Sequence, residues 1–304
     1  MDPLYPMKGI VTVLNTPFTI TNSLDEKALK RNVQRALNAG VNGFLIPAMA
    51  SEISKLSKCE CLKMVELVYQ EVNGQVPVFA GAGKGEFEQN FELIKCYLQN
   101  GFRKVLVHIP FSDERTFRSQ FLKIADLKPQ IIMLQDWDPS GYGLPNSLIL
   151  DLFNMVEPFK CLKIETVPAG IKYSKILELT AGKLNISGGW AVTQMFEGLE
   201  RGVHAFMPTG MHYIYTKIYN CYISGRNKEA WHLYKKILPI LSFSNQHLDI
   251  SIHFFKRLLF KQGIFATSKV REPILEFDKV HEEITSKLIE RVIDLEEQIQ
   301  SNRT

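Results

Sequence analysis

Lys163 and Glu165 stand two residues apart in the run Phe159-Lys160-Cys161-Leu162-Lys163-Ile164-Glu165-Thr166-Val167-Pro168. From Cys161 to Glu165 apolar and polar residues alternate before a proline, which is the pattern of a short strand. Side chains two apart on a strand share a face, so Lys163 and Glu165 point one way, Leu162 and Ile164 the other. A lysine and a carboxylate on the inner face of a buried strand are costly unless paired or put to use. Burial favours the neutral amine, and a neutral amine is the nucleophile that condenses with a carbonyl to give a Schiff base. The same residues also fit an ion pair at an exposed strand end.

The elements around this stretch favour the chemical reading. From Gly9 onward, short apolar runs alternate with longer amphipathic ones. Strands are expected at 9–14, 44–46, 76–80, 104–109 and 130–134, at the Lys163 stretch, and at 184–187 and 205–207. Helices are expected between and after them, near 25–38, 58–71, 86–99, 114–126, 147–155, 171–180, 193–201 and 213–223. Eight strand–helix units in about 215 residues is the length of a TIM (β/α)8 barrel. An open doubly wound sheet is the other topology that such strict alternation permits. Ser57 followed by Glu60 forms a capping-box pattern, and Gly40, Gly101 and Gly202 sit where helices should end. Beyond Gly225 only helical pattern remains, at 228–241, 248–262 and 273–299. The expected organisation is therefore a barrel over 1–225 and a small C-terminal helical domain over 226–304. In such a barrel, the C-terminal ends of the strands carry the active site, and Lys163 lies near one of them.

Composition narrows the function. The chain has 304 residues, 45% hydrophobic and 22% charged, as in a globular protein with a large core. The net charge of +4 is mild and its lysines are scattered, which argues against a nucleic-acid groove. The N-terminus lacks a basic region and an apolar run, and no stretch reaches transmembrane length, so neither secretion nor a membrane is expected. Five cysteines, an odd number and mostly within expected helices and strands, fit a reducing cytoplasm. Cys59 and Cys61 have no second ligand pair, and no metal site is expected. Gly81-Ala82-Gly83-Lys84-Gly85 lacks the spacing and the Ser/Thr of a phosphate loop and is read as a strand-to-loop turn.

Several motifs, in order, carry a resemblance that spans almost the full chain. They are Gly9-Ile10-Val11-Thr12 with Thr16-Pro17-Phe18, then Ala39 to Phe44 with Ser51-Glu52, and Val76-Pro77-Val78-Phe79-Ala80-Gly81-Ala82-Gly83. Leu162-Lys163-Ile164-Glu165, Ser187-Gly188-Gly189, Ser224 to Ala230, and Lys261-Gln262-Gly263 through Arg271-Glu272-Pro273 follow. Together they resemble the dihydrodipicolinate synthase and N-acetylneuraminate lyase family of Schiff-base aldolases. The resemblance implies a TIM barrel, a Schiff base on Lys163, no cofactor, a small 2-oxo acid as substrate, and a homotetramer built as a dimer of dimers. It also places Phe111 at the tight interface.

Other family positions differ here. The Gly-Thr-Thr-Gly-Glu loop that holds a pyruvate carboxylate reads Ala48-Met49-Ala50-Ser51-Glu52, without either threonine hydroxyl. The proton-relay tyrosine aligns with Gln135, the neighbouring subunit's tyrosine near Phe111, and the arginine for the second substrate's carboxylate falls near Ser140. These changes point away from dihydrodipicolinate synthesis and from ordinary sialic-acid cleavage. The candidate catalytic set is Lys163, Glu165 and Gln135. Glutamine cannot titrate, so Glu165 is the first candidate to move protons, and Glu52, Asp136 and His108, near strand ends, are weaker ones. Candidate substrate contacts are Ala50, Ser51, Glu52, Asp136, Ser187 and Gly188. Strand parity turns Asp136 away from Gln135, so a structural role competes for it. Trp137, Tyr142 and His212 are candidates for the barrel mouth, and His204 is read as structural. The expected function is a lyase or aldolase acting on a 2-oxo acid; a non-catalytic barrel that binds or senses a small carbonyl or carboxylate is the alternative.

Overall fold

The computed structural model describes residues 5–83, 85–189 and 192–301. Eight parallel strands close into a barrel in sequence order, β1 pairing with β8. They are β1 Gly9–Val13, β2 Gly43–Ile46, β3 Val78–Ala82, β4 Lys104–His108, β5 Ile131–Asp138, β6 Phe159–Thr166, β7 Asn185–Gly188 and β8 Ala205–Phe206. The helices between and after them are α1 Glu26–Ala39, α2 Lys58–Val72, α3 Phe87–Gln99, α4 Glu114–Asp126, α5 Asn146–Met155, α6 Gly170–Leu179, α7 Met195–Glu200 and α8 His212–Ile223. The TIM barrel expected from the alternating pattern is the observed fold, and the open sheet is ruled out.

Strand parity separates two cores. Val11, Val13, Leu45, Phe79, Leu106, Met133, Cys161 and Met207 fill the barrel interior. Residues of opposite parity, such as Ile10, Phe44, Leu134, Leu162 and Ile164, pack outward against the helices. Met7 and Ile131 join the interior cluster, and Tyr5 closes it by donating its hydroxyl to the Lys160 carbonyl. Both layers are built largely of apolar side chains, so a polar side chain at the inward, C-terminal end of a strand is an exception. Lys163 and Glu165 share the parity of Cys161 and are such exceptions.

The helix caps follow the sequence. Ser57 and Glu60 form the reciprocal capping box of α2, and Gly40 ends α1 at φ 84°, where it needs no Cβ. After α8 come α9 Asn227–Ser244, α10 Leu248–Lys261 and α11 Lys279–Ser301. The last helix begins at Lys279, later than the 273 expected from the pattern. The segment before it is held by side chains instead of helical bonds. Arg271 forks onto Glu60 at 2.6 and 3.0 Å and onto the Asn22 and Lys55 carbonyls, while its N–H donates to Glu52. Pro273 follows two residues later and offers no N–H. Lys84, in the glycine-rich turn after β3, lies outside the described residues. Among the described residues, no helix is long and apolar enough to cross a membrane.

Candidate active site

β5, β6 and β7 set the site by register. Gln135 on β5 stands beside Lys163 on β6, and Lys163 beside Ser187 on β7; two pairs further on, Trp137 stands beside Glu165. Lys163 Nζ lies 2.9 Å from Glu165 Oε2. The Gln135 side-chain amide donates to the same carboxylate oxygen and also lies 3.7 Å from Met49 Sδ. Lys163 is 5% exposed and Glu165 8%. A Cβ on Gly189 would overlap the Glu165 side chain, so glycine at that position makes room for the carboxylate. Across the register from Gln135, His108 meets the edge of Trp137 with ring centroids 6.0 Å apart. Burial holds the His108 imidazole below its ordinary pKa, with Glu165 pulling it up and Lys163 pushing it down.

These groups open onto a cavity of about 460 Å³, a volume suited to a small organic ligand. Its walls are Met49 and Ala50 after β2, Trp137 at the end of β5 and Pro139 just after it, Met207 and Thr209 after β8, and the turn from Asn245 to Leu248 between α9 and α10. Ser251 on α10 completes it. Among the described lining residues, Lys163, Glu165 and His247 are the titratable groups. The N–H groups of Met49 and Ala50 donate to nothing among the described residues. A buried amine, an adjacent carboxylate and free peptide donors at a cavity wall can capture a carbonyl next to a carboxylate and move its protons.

Comparison with known proteins places this arrangement in context. The sequence profile of the Dihydrodipicolinate synthetase family matches residues 6–292. The chain belongs to that family. Members of the family are lyases and aldolases that use a lysine Schiff base on 2-oxo acids. A 4-hydroxy-tetrahydrodipicolinate synthase of Methanopyrus kandleri is 32% identical over 124 residues, 40% of this chain and 41% of that protein. A second, from Pelobacter propionicus, is 28% identical over 60% of this chain and 63% of its own length, so the chain spans less than two thirds of these two relatives. An L-2-keto-3-deoxyarabonate dehydratase of Azospirillum brasilense is 26% identical over 88% of this chain and 89% of that protein. In fold, dihydrodipicolinate synthase from Rhodopseudomonas palustris superposes with a TM-score of 0.85 at 18% identity, over 93% of this chain and 97% of that one.

Against the family's pattern, the structure brings together some of the expected site residues and separates others. Lys163, Glu165 and Gln135 converge, and Ala50 lines the cavity with Trp137. Ser51 lies behind the wall: its hydroxyl donates to the Leu14 carbonyl and accepts from the Ala48 N–H. Glu52 also turns away from the cavity. Its backbone is left-handed at φ 59°, and its carboxylate pairs with Lys256 from α10 and accepts from the Arg271 N–H. Asp136 faces outward, as parity allows, and pairs with Lys172 on α6 while accepting from the Leu144 N–H. Ser187 is inward but buried, with its hydroxyl 3.4 Å from the Leu162 carbonyl. Gly188 faces α6, where a Cβ would meet the Tyr173 hydroxyl at 2.9 Å. His212 is wholly buried beside Thr12, Tyr142 is 60% exposed, and His204 accepts from the Ile186 N–H.

Sequence reasoning missed Met49, Met207, Thr209, Gln246 and Ser251 as cavity residues. Position after a strand could have flagged Met207 and Thr209. Nothing local marks Gln246 or Ser251, because only the docking of α10 across the barrel mouth brings them near Lys163.

Proposed function

We propose that the chain is a Schiff-base lyase acting on a 2-oxo acid, with Lys163 as nucleophile, Glu165 as the proton-transfer group and Gln135 as the residue that orients Glu165. One observation carries this reading. Lys163 faces the cavity with Glu165 as its only hydrogen-bonding or ionic partner among the described residues.

The chemistry follows from that geometry. Glu165, 2.9 Å away, takes a proton from the Lys163 ammonium, the freed amine attacks the C2 carbonyl of the oxo acid, and Glu165 gives that proton to the developing alkoxide. Glu165 then takes a second proton from the carbinolamine nitrogen and gives it to the hydroxyl, which leaves as water and gives the iminium. The iminium then draws in an electron pair: either from C3 after loss of a C3 proton, with departure of a C4 hydroxyl, or from the C3–C4 bond as it breaks. The peptide N–H groups of Met49 and Ala50 would hold the substrate carboxylate, a role backbone donors fill without hydroxyl side chains. Gln135 donates to Glu165 and cannot titrate, so it fixes the carboxylate and does not relay.

Dihydrodipicolinate synthesis is not the proposed reaction. Ser140 stands where an arginine would be needed, and its N–H and hydroxyl are both given to Asp138. The proposed assembly is a homotetramer. Its support is Phe111, 47% exposed on the loop after β4 and packed against Phe117. Light scattering that finds only monomer at micromolar concentration would count against it.

The functional test is reductive trapping. With pyruvate and borohydride, intact mass should rise by one reduced adduct in the wild type and not in Lys163→Ala. Ligand-induced thermal stabilisation without any adduct, across a panel of 2-oxo acids, would leave the barrel as a carbonyl binder and end the lyase reading.

A further inference from the structure

We propose that Lys256 is a positioning residue for the substrate carboxylate, acting through Glu52 on the peptide N–H groups of Met49 and Ala50. This deepens the proposed function and rests on its reading that those two N–H groups hold the carboxylate.

The C=O and N–H of a trans peptide point opposite ways. The Ala48 carbonyl accepts from the Ser51 N–H at 2.9 Å and the Ile53 N–H at 3.4 Å, so the Met49 N–H of the same peptide points away from those bonds. The Met49 carbonyl accepts from the Glu52 N–H at 2.9 Å, which turns the Ala50 N–H outward in the same manner. Both donors are thus aimed by what bonds to the carbonyls behind them. Neither Met49 nor Ala50 brings a hydroxyl, so on this wall a carboxylate depends on backbone geometry alone.

Glu52 closes the turn at φ 59° and ψ 37°, a left-handed conformation that a residue with a side chain keeps only when its surroundings hold it. Three elements do so. The carboxylate, in a residue 1% exposed, pairs with Lys256 of α10, accepts from the Arg271 N–H at 2.9 Å and lies 3.9 Å from Lys55 Nζ. Lys256 is fully buried; its amine donates to the Lys269 carbonyl at 2.8 Å and sits 4.2 Å from the centre of the Phe18 ring. Neither Lys256 nor Glu52 is among the described residues that line the cavity, so the lysine reaches a ligand only through the turn. Without the amine, the Glu52 carboxylate loses its buried partner. Relaxation of its left-handed backbone then loosens the bond to the Met49 carbonyl and the aim of the Ala50 N–H.

The test compares lactate with propane-1,2-diol, in which a hydroxymethyl group replaces the carboxylate. Neither has a carbonyl to condense with Lys163. Affinities are read by ligand-observed NMR, and pyruvate trapping is run on the same samples. The wild type should prefer lactate, and Lys256→Met should cut that preference about tenfold. Lys256→Met combined with Glu52→Gln buries no unpaired charge, so it should recover melting temperature yet keep most of the loss in preference. Lys172→Met breaks a different buried pair; it should lower melting temperature and leave the preference intact. If Lys256→Met fails to fold, the double variant carries the comparison. A preference that survives in the double variant, or that Lys172→Met lowers as much, would overturn the proposal and leave Lys256 with a structural role. A wild type that binds the two ligands equally would remove the cradle and the proposal together. A preference that falls as stated, in a protein that traps no pyruvate, would end the Schiff-base reading and keep the role of Lys256.

Discussion

Two buried lysine–carboxylate pairs flank β6, and they could hardly be used more differently. Lys163 and Glu165 lie inside the barrel and border an open cavity. Lys172 and Asp136 lie on the outer side, between the sheet and α6, where Lys172 Nζ also donates to the Tyr142 and Leu144 carbonyls at 2.5 and 2.7 Å. Burial lowers the pKa of Lys172 and raises that of Asp136, each opposed by attraction to the other. With three acceptors around it, Lys172 has every proton committed and no path to a ligand. Its work is mechanical: it ties down the loop after β5, whose Pro139 walls the cavity beside Trp137 at the end of that strand. A third pair, Lys256 with Glu52, does the same for α10, its amine also held by the Lys269 carbonyl at 2.8 Å. Burial lowers Lys256 to about 8, against the pull of Glu52. What separates a reactive lysine from a structural one here is unused donor capacity facing empty space, since burial and a carboxylate partner are common to all three.

The largest effect that would sharpen this contrast is expected at Lys163. Lys163→Arg should lower adduct formation by roughly a thousandfold or more, because a guanidinium stays protonated and cannot condense. Its melting temperature should stay near that of the wild type. Next, Glu165→Gln should slow adduct formation by about 10²–10⁴-fold, the range for removing a positioned proton-transfer group. A rate within a few-fold of wild type would move that role elsewhere, with His108 first in line.

The outer pair should behave in the opposite sense. Lys172→Met leaves Asp136 buried and unpaired and should cost about 3–5 kcal/mol of stability in urea unfolding. The double variant Lys172→Met with Asp136→Leu should recover much of that loss. A Lys172 variant with normal stability and lost adduct would erase the distinction between the pairs.

Much of this contrast was legible in the sequence. Alternation in Cys161 to Glu165 placed Lys163 and Glu165 inward, and the same parity turned Asp136 outward. The strand–helix period gave the barrel, and the glycine at 40 and the Ser57–Glu60 box gave helix ends. What stayed hidden depends on long-range docking. Lys172 is two residues into a helix and looks solvent-bound until α6 packs on the sheet. Glu52 follows a short 3-10 turn, Met49–Ser51, and its left-handed backbone aims it at Lys256, 204 positions later. Ser251 reaches the cavity only because α10 folds over the mouth. Local pattern encodes which face a side chain takes; it does not encode which distant element arrives there.

The smallest expected effect concerns the clasp beside Glu52. Hydrogen bonds from Arg271 hold the Glu60 carboxyl at about 2, below its ordinary 4.5. Between those values the unfolded chain binds a proton that the folded chain does not, so stability is complete above the upper value and falls as the pH drops toward the lower. Glu60→Gln should flatten the melting temperature against pH in that window relative to wild type. An unchanged slope would show that the clasp contributes nothing to acid sensitivity.

The central claim is that one buried lysine of the three is the nucleophile, and site-resolved trapping tests it most directly. The protein would be incubated with pyruvate and with longer hydroxylated 2-oxo acids, reduced with borohydride, digested, and mapped by mass spectrometry. The account predicts a single modified peptide carrying the adduct on Lys163, with Lys172 and Lys256 unmodified. An adduct on Lys172 or Lys256, or none on any lysine with every oxo acid tried, would contradict it.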